Sequence, residues 1–593
     1  MVAREGLSCG IREGPGLMAT LATAREPRLR AGRALGRSLL LGLVLAGASA
    51  RAQESPNFPD FPGSRPLVLP QPPGSQEADP VALPAAPLAP SPGTGARLRI
   101  QVTRIEVEGN TVLLPAALAE LGRPYLGRPL GSQDLQSLQD ALTRAYVNAG
   151  YANSWATLPD QDFVGGVLRV RIVEGQLSDV VITGNRGYSA AYLRERLRGP
   201  PGRPLNAFDL EGRIQVLRAE PGIRSIRATV RPGVSRDKAI LYAEVREAPR
   251  LNASVDVGNL FNPTIGEMGG YVGVGVLNPV AGWGDRFGMM AGLSEGLTDL
   301  QLDYEIPVGD WGTGLEGDFR YSEASIVEPS LEALDIRTRY LAAALTLSQP
   351  VWQGSNYQID AGLRAEWRES QSTVLGFPFA FSEAAGADGQ LRDFVLRFSQ
   401  SISAQTGNDA FGFRSTWNFG LNVLGATSAP SSDRADFVSW LGQAQWLRRL
   451  EGSGVELFMR ANVQLALDPL LPFERFSVGG RFSVRGYREN QEVRDNGYSL
   501  GLEARIPVLR APSGRTLLRV GPFVDSGRSW SEPREDAGSP VNLASIGVEA
   551  VWSPSPRLRF ELIYGYRLLS VTEAGEKSLQ DYGIEFRVVA ATF

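Results

Sequence analysis

No histidine occurs in the 593 residues, and Cys9 is the only cysteine. The first absence removes the commonest general base and the commonest metal ligand. The second leaves no disulfide or thiolate metal site, and no thiol nucleophile once the leading segment is gone. Catalysis would have to rest on carboxylates or lysine, no serine motif stands out, and neither a catalytic residue nor a cofactor is expected. No stretch of about 18 consecutive apolar residues occurs, so a spanning helix is not expected. A chain of this kind can cross a membrane only as a closed barrel. A phosphate-binding Gly-x-x-x-x-Gly-Lys loop is also missing; "GYVGVGVLNPV" (270–280) is a glycine-alternating strand.

The first residues look like an export signal. Arg30, Arg33 and Arg37 precede the apolar run Leu39–Ala46, and small residues lead to Ala52. Residues 1–52 are read as a signal peptide cleaved before Gln53. They hold eight of the 60 basic and three of the 64 acidic residues, leaving 52 against 61, a net charge of −9. A nucleic-acid binder shows a basic face, so no nucleic-acid partner is expected. Residues 53–97, thick with proline from Ser55 to Pro92, read as a semi-rigid linker.

An internal repeat follows. "IEVEGN" (105–110) returns as "VVITGN" (180–185), and "GRPL" (127–130) returns at 202–205, both at an offset of 75. Two copies of one unit are implied, at 98–176 and 177–248. Each reads strand, helix, helix, strand, strand, a small α+β module. In the first copy Ser132 can cap a helix with Leu135, Leu138, Leu142, Ala145 and Tyr146 on one face, and Gly150 can end it. "VLRVRIVEG" (167–175) and "AILYAEVRE" (239–247) alternate as strands, and sequence does not say which sheet edge is free.

From 249 to 593 the texture is period two. "YQIDAGLRAEW" sorts Tyr357, Ile359, Ala361, Leu363, Ala365 and Trp367 from Gln358, Asp360, Arg364 and Glu366. "RLRFELIYGYRL" places Leu558, Phe560, Leu562, Tyr564, Tyr566 and Leu568 on the apolar side. A soluble sandwich with one dry face would also alternate, but its strands are typically about 5–6 residues, whereas these are long enough to span a bilayer. Charges of both signs on the polar face suit a wet interior. Trp283, Trp311, Trp352, Tyr498 and Tyr566 suit aromatic girdles. At about 21 residues per strand and connection, the segment predicts a membrane β-barrel of about sixteen antiparallel strands.

Two motifs complete the pattern. "GGRFSVRGYREN" (479–490) contains Val484, Arg485, Gly486 and Tyr487, and "VGPFVDSGRSW" (520–530) contains Phe523, Asp525 and Gly527. Read alone, Arg485 can bind an anion, cap a turn or lie on a surface, and Arg485 and Asp525 can be separate solvated charges. Together with the export signal, the linker, the repeat and the barrel, these stretches resemble the two-partner secretion transporters, the haemolysin and filamentous-haemagglutinin exporter family. In the first module "RIEVEGNT" (104–111) and then "SLQDALTRAYVNAGYANSWATLPDQDFVGGVLRVRIVEG" (137–175) look like that family's first polypeptide-transport-associated (POTRA) domain almost throughout, and the resemblance covers about residues 98–593.

The resemblance implies a bacterial outer-membrane protein with its POTRA modules in the periplasm. It implies that a long loop folds into the barrel with Val484-Arg485-Gly486-Tyr487 at its tip, and that Arg485 pairs with Asp525 of the Phe-x-Asp-x-Gly motif on the wall. It implies further that the modules catch an unfolded, large secreted partner protein and that the barrel passes it outward, with outer-membrane lipid and the barrel-assembly machinery as further partners. No substrate-binding residue is assigned and no metal is expected. A passive porin and a barrel-insertion factor are the rival readings. A family feature, an N-terminal helix plugging the pore, conflicts with the proline-broken start.

Overall fold

The computed structural model describes residues 99–592 apart from 219, 310–311, 355, 428–433, 534–537 and 572–576. The expected signal peptide and linker, residues 1–97, and Trp311 lie outside the described residues.

The first module runs β1 (Arg104–Glu108), α1 (Pro115–Gly122), α2 (Ser132–Asn148), β2 (Trp155–Thr157) and β3 (Val167–Val173). Its helices cover one face of a sheet ordered β1-β3-β2, in which β1 and β3 are parallel. Leu135, Leu138, Leu142 and Tyr146 of α2 bury against Leu168, Val170 and Ile172 of β3. The cap of α2 differs from expectation. Ser132 is already helical, Gly131 is the N-cap, and the Asp134 carboxylate accepts the Gly131 N–H at 2.9 Å. Gly150, at φ 93°, turns the chain out of the helix.

The second module repeats this order as β4 (Gln176–Thr183), α3 (Ala190–Arg198), α4 (Ala207–Arg218), β5 (Ile223–Pro232) and β6 (Lys238–Glu247), with sheet order β4-β6-β5. The repeat has a physical basis. Gly109 and Gly184 both have left-handed φ, and a Cβ on either would lie about 2.5 Å from a carbonyl of the central strand, 2.5 Å from Ile172 O and 2.4 Å from Val245 O. The following asparagines close the same turn, Asn110 onto Leu113 O and Asn185 onto Tyr188 O. In both modules the last strand is central, so the strands singled out by sequence, β3 and β6, have no free edge; β1, β2, β4 and β5 do.

The barrel closes with sixteen antiparallel strands. They are β7 (Leu251–Gly258), β8 (Gly269–Leu277), β9 (Arg286–Ser294), β10 (Leu297–Val308), β11 (Thr313–Ser325), β12 (Arg337–Gln353), β13 (Tyr357–Val374) and β14 (Gln390–Gln405), then β15 (Asp409–Gly420), β16 (Val438–Arg449), β17 (Glu456–Ala466), β18 (Asn496–Arg510), β19 (Thr516–Trp530), β20 (Val541–Ser555), β21 (Leu558–Arg567) and β22 (Ile584–Ala591). The even count returns both barrel ends to the module side. Connections there are short, the longest being 278–285, whereas the far side carries 375–389, 421–437 and 467–495. Alternation sorts the faces: Leu562, Tyr564 and Tyr566 of β21 are exposed outward, and Glu561 and Ile563 are buried inward. Among the described residues no helix is long and apolar enough to cross a membrane.

The second module is docked on the barrel's near-side turns. Ser189 N–H donates to Gly282 O (2.8 Å), and Arg196 Nη2 donates to Gly309 O (2.7 Å).

Candidate functional site

Connection 467–495 does not project outward but folds into the lumen. Phe476–Val478 pairs antiparallel with Glu492–Arg494, making a ribbon whose tip is 479–490. Left-handed φ at Gly479, Gly480, Gly486 and Asn490 reverses the chain there.

At the tip Arg485 meets three carboxylates. Asp525 Oδ2 accepts Arg485 Nε at 2.7 Å and the Arg485 backbone N–H at 3.1 Å, while Oδ1 accepts Nη2 at 2.9 Å, a bidentate pair. Arg485 Nη1 also donates to Glu503 (2.9 Å) and Glu549 (3.2 Å). The Phe523 ring lies under the guanidinium, 3.5 Å from centroid to Cζ. Arg485 is 3% and Asp525 1% exposed, so neither is a solvated charge. Arg505 beside Glu503 and Arg519 beside Glu549 balance the extra carboxylates.

The other motif residues shape the contact. Val484 and Tyr487 bury with Phe476, Val478, Leu441 and Leu543. A Cβ on Gly527 would fall 2.9 Å from Val484 Cγ2, so this glycine makes room for the tip. The Tyr487 hydroxyl donates to Leu569 O (2.7 Å), and Arg567 Nε donates to Gly486 O at 2.5 Å.

Sequence reasoning missed most of the surroundings. Glu503 and Glu549 lie on inward phases of β18 and β20, but phase gives a face, not a depth. Arg460 Nη1 holds the tip backbone at Arg481 O (2.7 Å), Arg481 reaches Glu561 on β21 (2.6 Å), and Arg488 makes a bidentate pair with Asp581 (2.6 and 2.7 Å). The tip is thus held by several buried ion pairs to different elements on this side of the barrel. Among the described residues no group of His, Cys, Asp and Glu could hold a metal ion.

The comparisons with known proteins agree with this architecture. Residues 100–175 match the family "POTRA domain, ShlB-type", and residues 237–550 match "Haemolysin secretion/activation protein ShlB/FhaC/HecB". The outer membrane transporter CdiB of Escherichia coli is 30% identical over 450 residues, 70% of this chain and 71% of the relative. The heme/hemopexin transporter protein HuxB of Haemophilus influenzae strain 86-028NP is 22% identical over 223 residues, 36% of this chain and 39% of the relative. Among solved structures, CdiB from Escherichia coli superposes with a TM-score of 0.62 at 20% identity, covering 86% of this chain and 94% of that one. CdiB from Acinetobacter baumannii gives 0.57 at 17% identity, covering 86% and 95%. In this family the barrel sits in the outer membrane, the POTRA domains lie in the periplasm, and the cargo is a large secreted partner. The chain belongs to the haemolysin secretion/activation family of two-partner secretion outer-membrane transporters.

Proposed function

We propose that this transporter takes up an unfolded partner protein at its periplasmic modules and passes it through the barrel to the cell surface. The observation that carries this reading is the open edge of β5. Of its ten residues, Ile223–Pro232, nine pair with β6 in the module docked on the barrel's turns, and among the described residues no strand pairs with its other side; Arg218 Nη2 also donates to Ile226 O (2.8 Å). An extended peptide adding to that edge gains main-chain hydrogen bonds with little demand on its sequence. Arg485, with Val484, Gly486 and Tyr487 around it, acts in this reading as a latch on Asp525, Phe523 and Gly527, keeping the loop in register while a chain passes. The outward apolar belt faces lipid, and the assembly machinery inserts the barrel.

Secretion tests the proposal. The protein is expressed with the large exported protein encoded beside it, and the medium is assayed for the intact chain, for Arg485→Ala and for a chain lacking 98–248. Export is expected only with the modules present, and weakly with Arg485→Ala. Equal export without the transporter ends the reading for that pair. Loss of other outer-membrane proteins on deletion favours an insertion factor, and a conductance indifferent to removing 98–248 favours a porin.

A further inference from the structure

Loop 467–495 reaches two walls about half the barrel apart, and its two holds are built differently. The tip lies against β18–β22 through several independent contacts: Arg485 on Asp525, Arg481 on Glu561, Arg488 on Asp581, and the buried Tyr487. The entering turn, 470–475, meets the wall of β13 and β14 through one fully buried carboxylate, Glu474, and through Phe473, whose carbonyl accepts Arg368 Nη1 (3.3 Å) and whose ring lies under the same guanidinium. Glu474 Oε1 accepts Arg397 Nη2 (2.6 Å) and Oε2 accepts Arg397 Nη1 (2.9 Å), and Arg368 Nη2 also donates to Oε1. Beside it Phe473 packs edge-on to Tyr340, and Leu471 joins Ala384, Leu391 and Ala435 in a small apolar seal at the outer end.

We propose that Glu474 is the releasable hold of this loop: its separation from Arg368 and Arg397 lifts turn 470–475 off the β13–β14 wall and opens the lumen, while the tip stays fixed on β18–β22. Two observations carry this. First, the wall is charge-balanced without Glu474. Arg364 pairs with Asp318 (2.6 Å), Arg368 with Asp393 (2.5 Å) and Arg397 with Glu366 (2.8 Å), so departure of Glu474 strands no buried cation. Secondly, the turn is closed on itself and is tied at its base to β17, a strand of neither wall. Arg475 Nε donates to Leu470 O (3.1 Å), and at its base Gln464 Nε2 donates to both Glu474 O (2.7 Å) and Asp495 O (3.0 Å). Glu474 is thus a positioning residue for the pore. The inference concerns the resting channel and stands apart from how a partner is captured.

The test is current across planar bilayers holding the full chain without any partner, with heat-modifiable mobility on gels as the check of assembly. Glu474→Gln is expected to raise mean current several-fold. Glu474→Arg, repelled by both arginines, is expected to raise it further, and adding Arg397→Glu to Glu474→Arg is expected to bring it back towards the parent. That reversal is a readout that a purely structural role would not give. Parent-like current from an assembled Glu474→Gln or Glu474→Arg barrel overturns the proposal. If Glu474→Arg does not assemble, Glu474→Gln and Glu474→Asp decide by the same current. Failure of all three to assemble also overturns it, because a releasable hold is one the fold can do without.

Discussion

Gly486 and Gly565 touch backbone to backbone. A Cβ on Gly565 would lie 2.7 Å from Gly486 Cα, and a Cβ on Gly486, where φ is 91°, would lie 2.6 Å from Gly565 O. The loop tip therefore needs glycine on both sides of the contact, one in the loop and one in β21. Gly565→Ala is expected to displace the tip while leaving every charged partner of Arg485 intact. The measurement is protease access to loop 467–495 in intact cells, which should rise in Gly565→Ala. Unchanged protection would mean the strand yields and the contact is not tight.

How much of this was legible without coordinates differs by region. The modules were legible because their repeat falls on residues with steric duties: Gly109 and Gly184 lie against strand carbonyls, and the offset of 75 carries that constraint through the sequence. The barrel was legible because a wet lumen and a dry outside impose period two. What alternation could not give was register. Glu503, Glu549 and Glu474 each sit on or near a polar face in a chain full of polar faces, and only pairing β18 with β19 and β19 with β20 brings Glu503 and Glu549 to the depth of Arg485. The edges of the module sheets were equally hidden, since strand order is a tertiary fact.

Gly212 is a contrasting glycine. It lies exposed in the interior of α4, with ordinary φ and nothing within 4 Å of the position a Cβ would take. Gly212→Ala should stabilise the helix by about 0.5–1 kcal/mol, because glycine loses the most backbone entropy on folding. Slower hydrogen exchange at α4 amides would show it, with exchange in α2 unchanged.

The joint between the second module and the barrel should tighten in acid. Glu220 accepts from Tyr192 (2.7 Å), and a Cβ on Gly284 of the barrel turn would come within 2.9 Å of its other oxygen. Burial raises the Glu220 carboxyl above its ordinary value of 4.5, against the lowering effect of Tyr192, Tyr188, Arg196 and Arg286. A raised folded value means that the stabilisation is complete below 4.5 and is lost as pH climbs through the folded value. Hydrogen exchange of the 278–285 amides, corrected for intrinsic rates, should slow between neutral pH and about pH 5. Glu220→Gln, neutral at every pH, should show the slow rate throughout, and a pH dependence that survives this change would assign the effect to another group.

The closing seam of the barrel is short and is supplemented by side chains. β22 pairs with β7 over only five positions, Arg587–Ala591 against Gly258–Ser254, whereas β12 pairs with β13 over sixteen. Side chains extend the short ladder at both ends: Asn259 donates to Ile584 O (2.8 Å) and accepts the Phe586 N–H (2.7 Å), and Thr592 Oγ1 accepts the Ala253 N–H (2.9 Å). Between them Arg587 clasps buried Asp256, with Nε at 2.8 Å from Oδ2 and Nη2 at 2.6 Å. Charged hydrogen bonds of this kind are worth about 1.5–3 kcal/mol. Asp256→Asn should therefore lower the temperature at which the folded band converts to the unfolded one on gels, and Asn259→Ala should lower it independently. The two losses should add in the double variant if the seam opens from both positions at once, since the side chains share no partner. A double variant no weaker than Asp256→Asn alone would mean that the ladder above the ion pair is already open when the barrel melts.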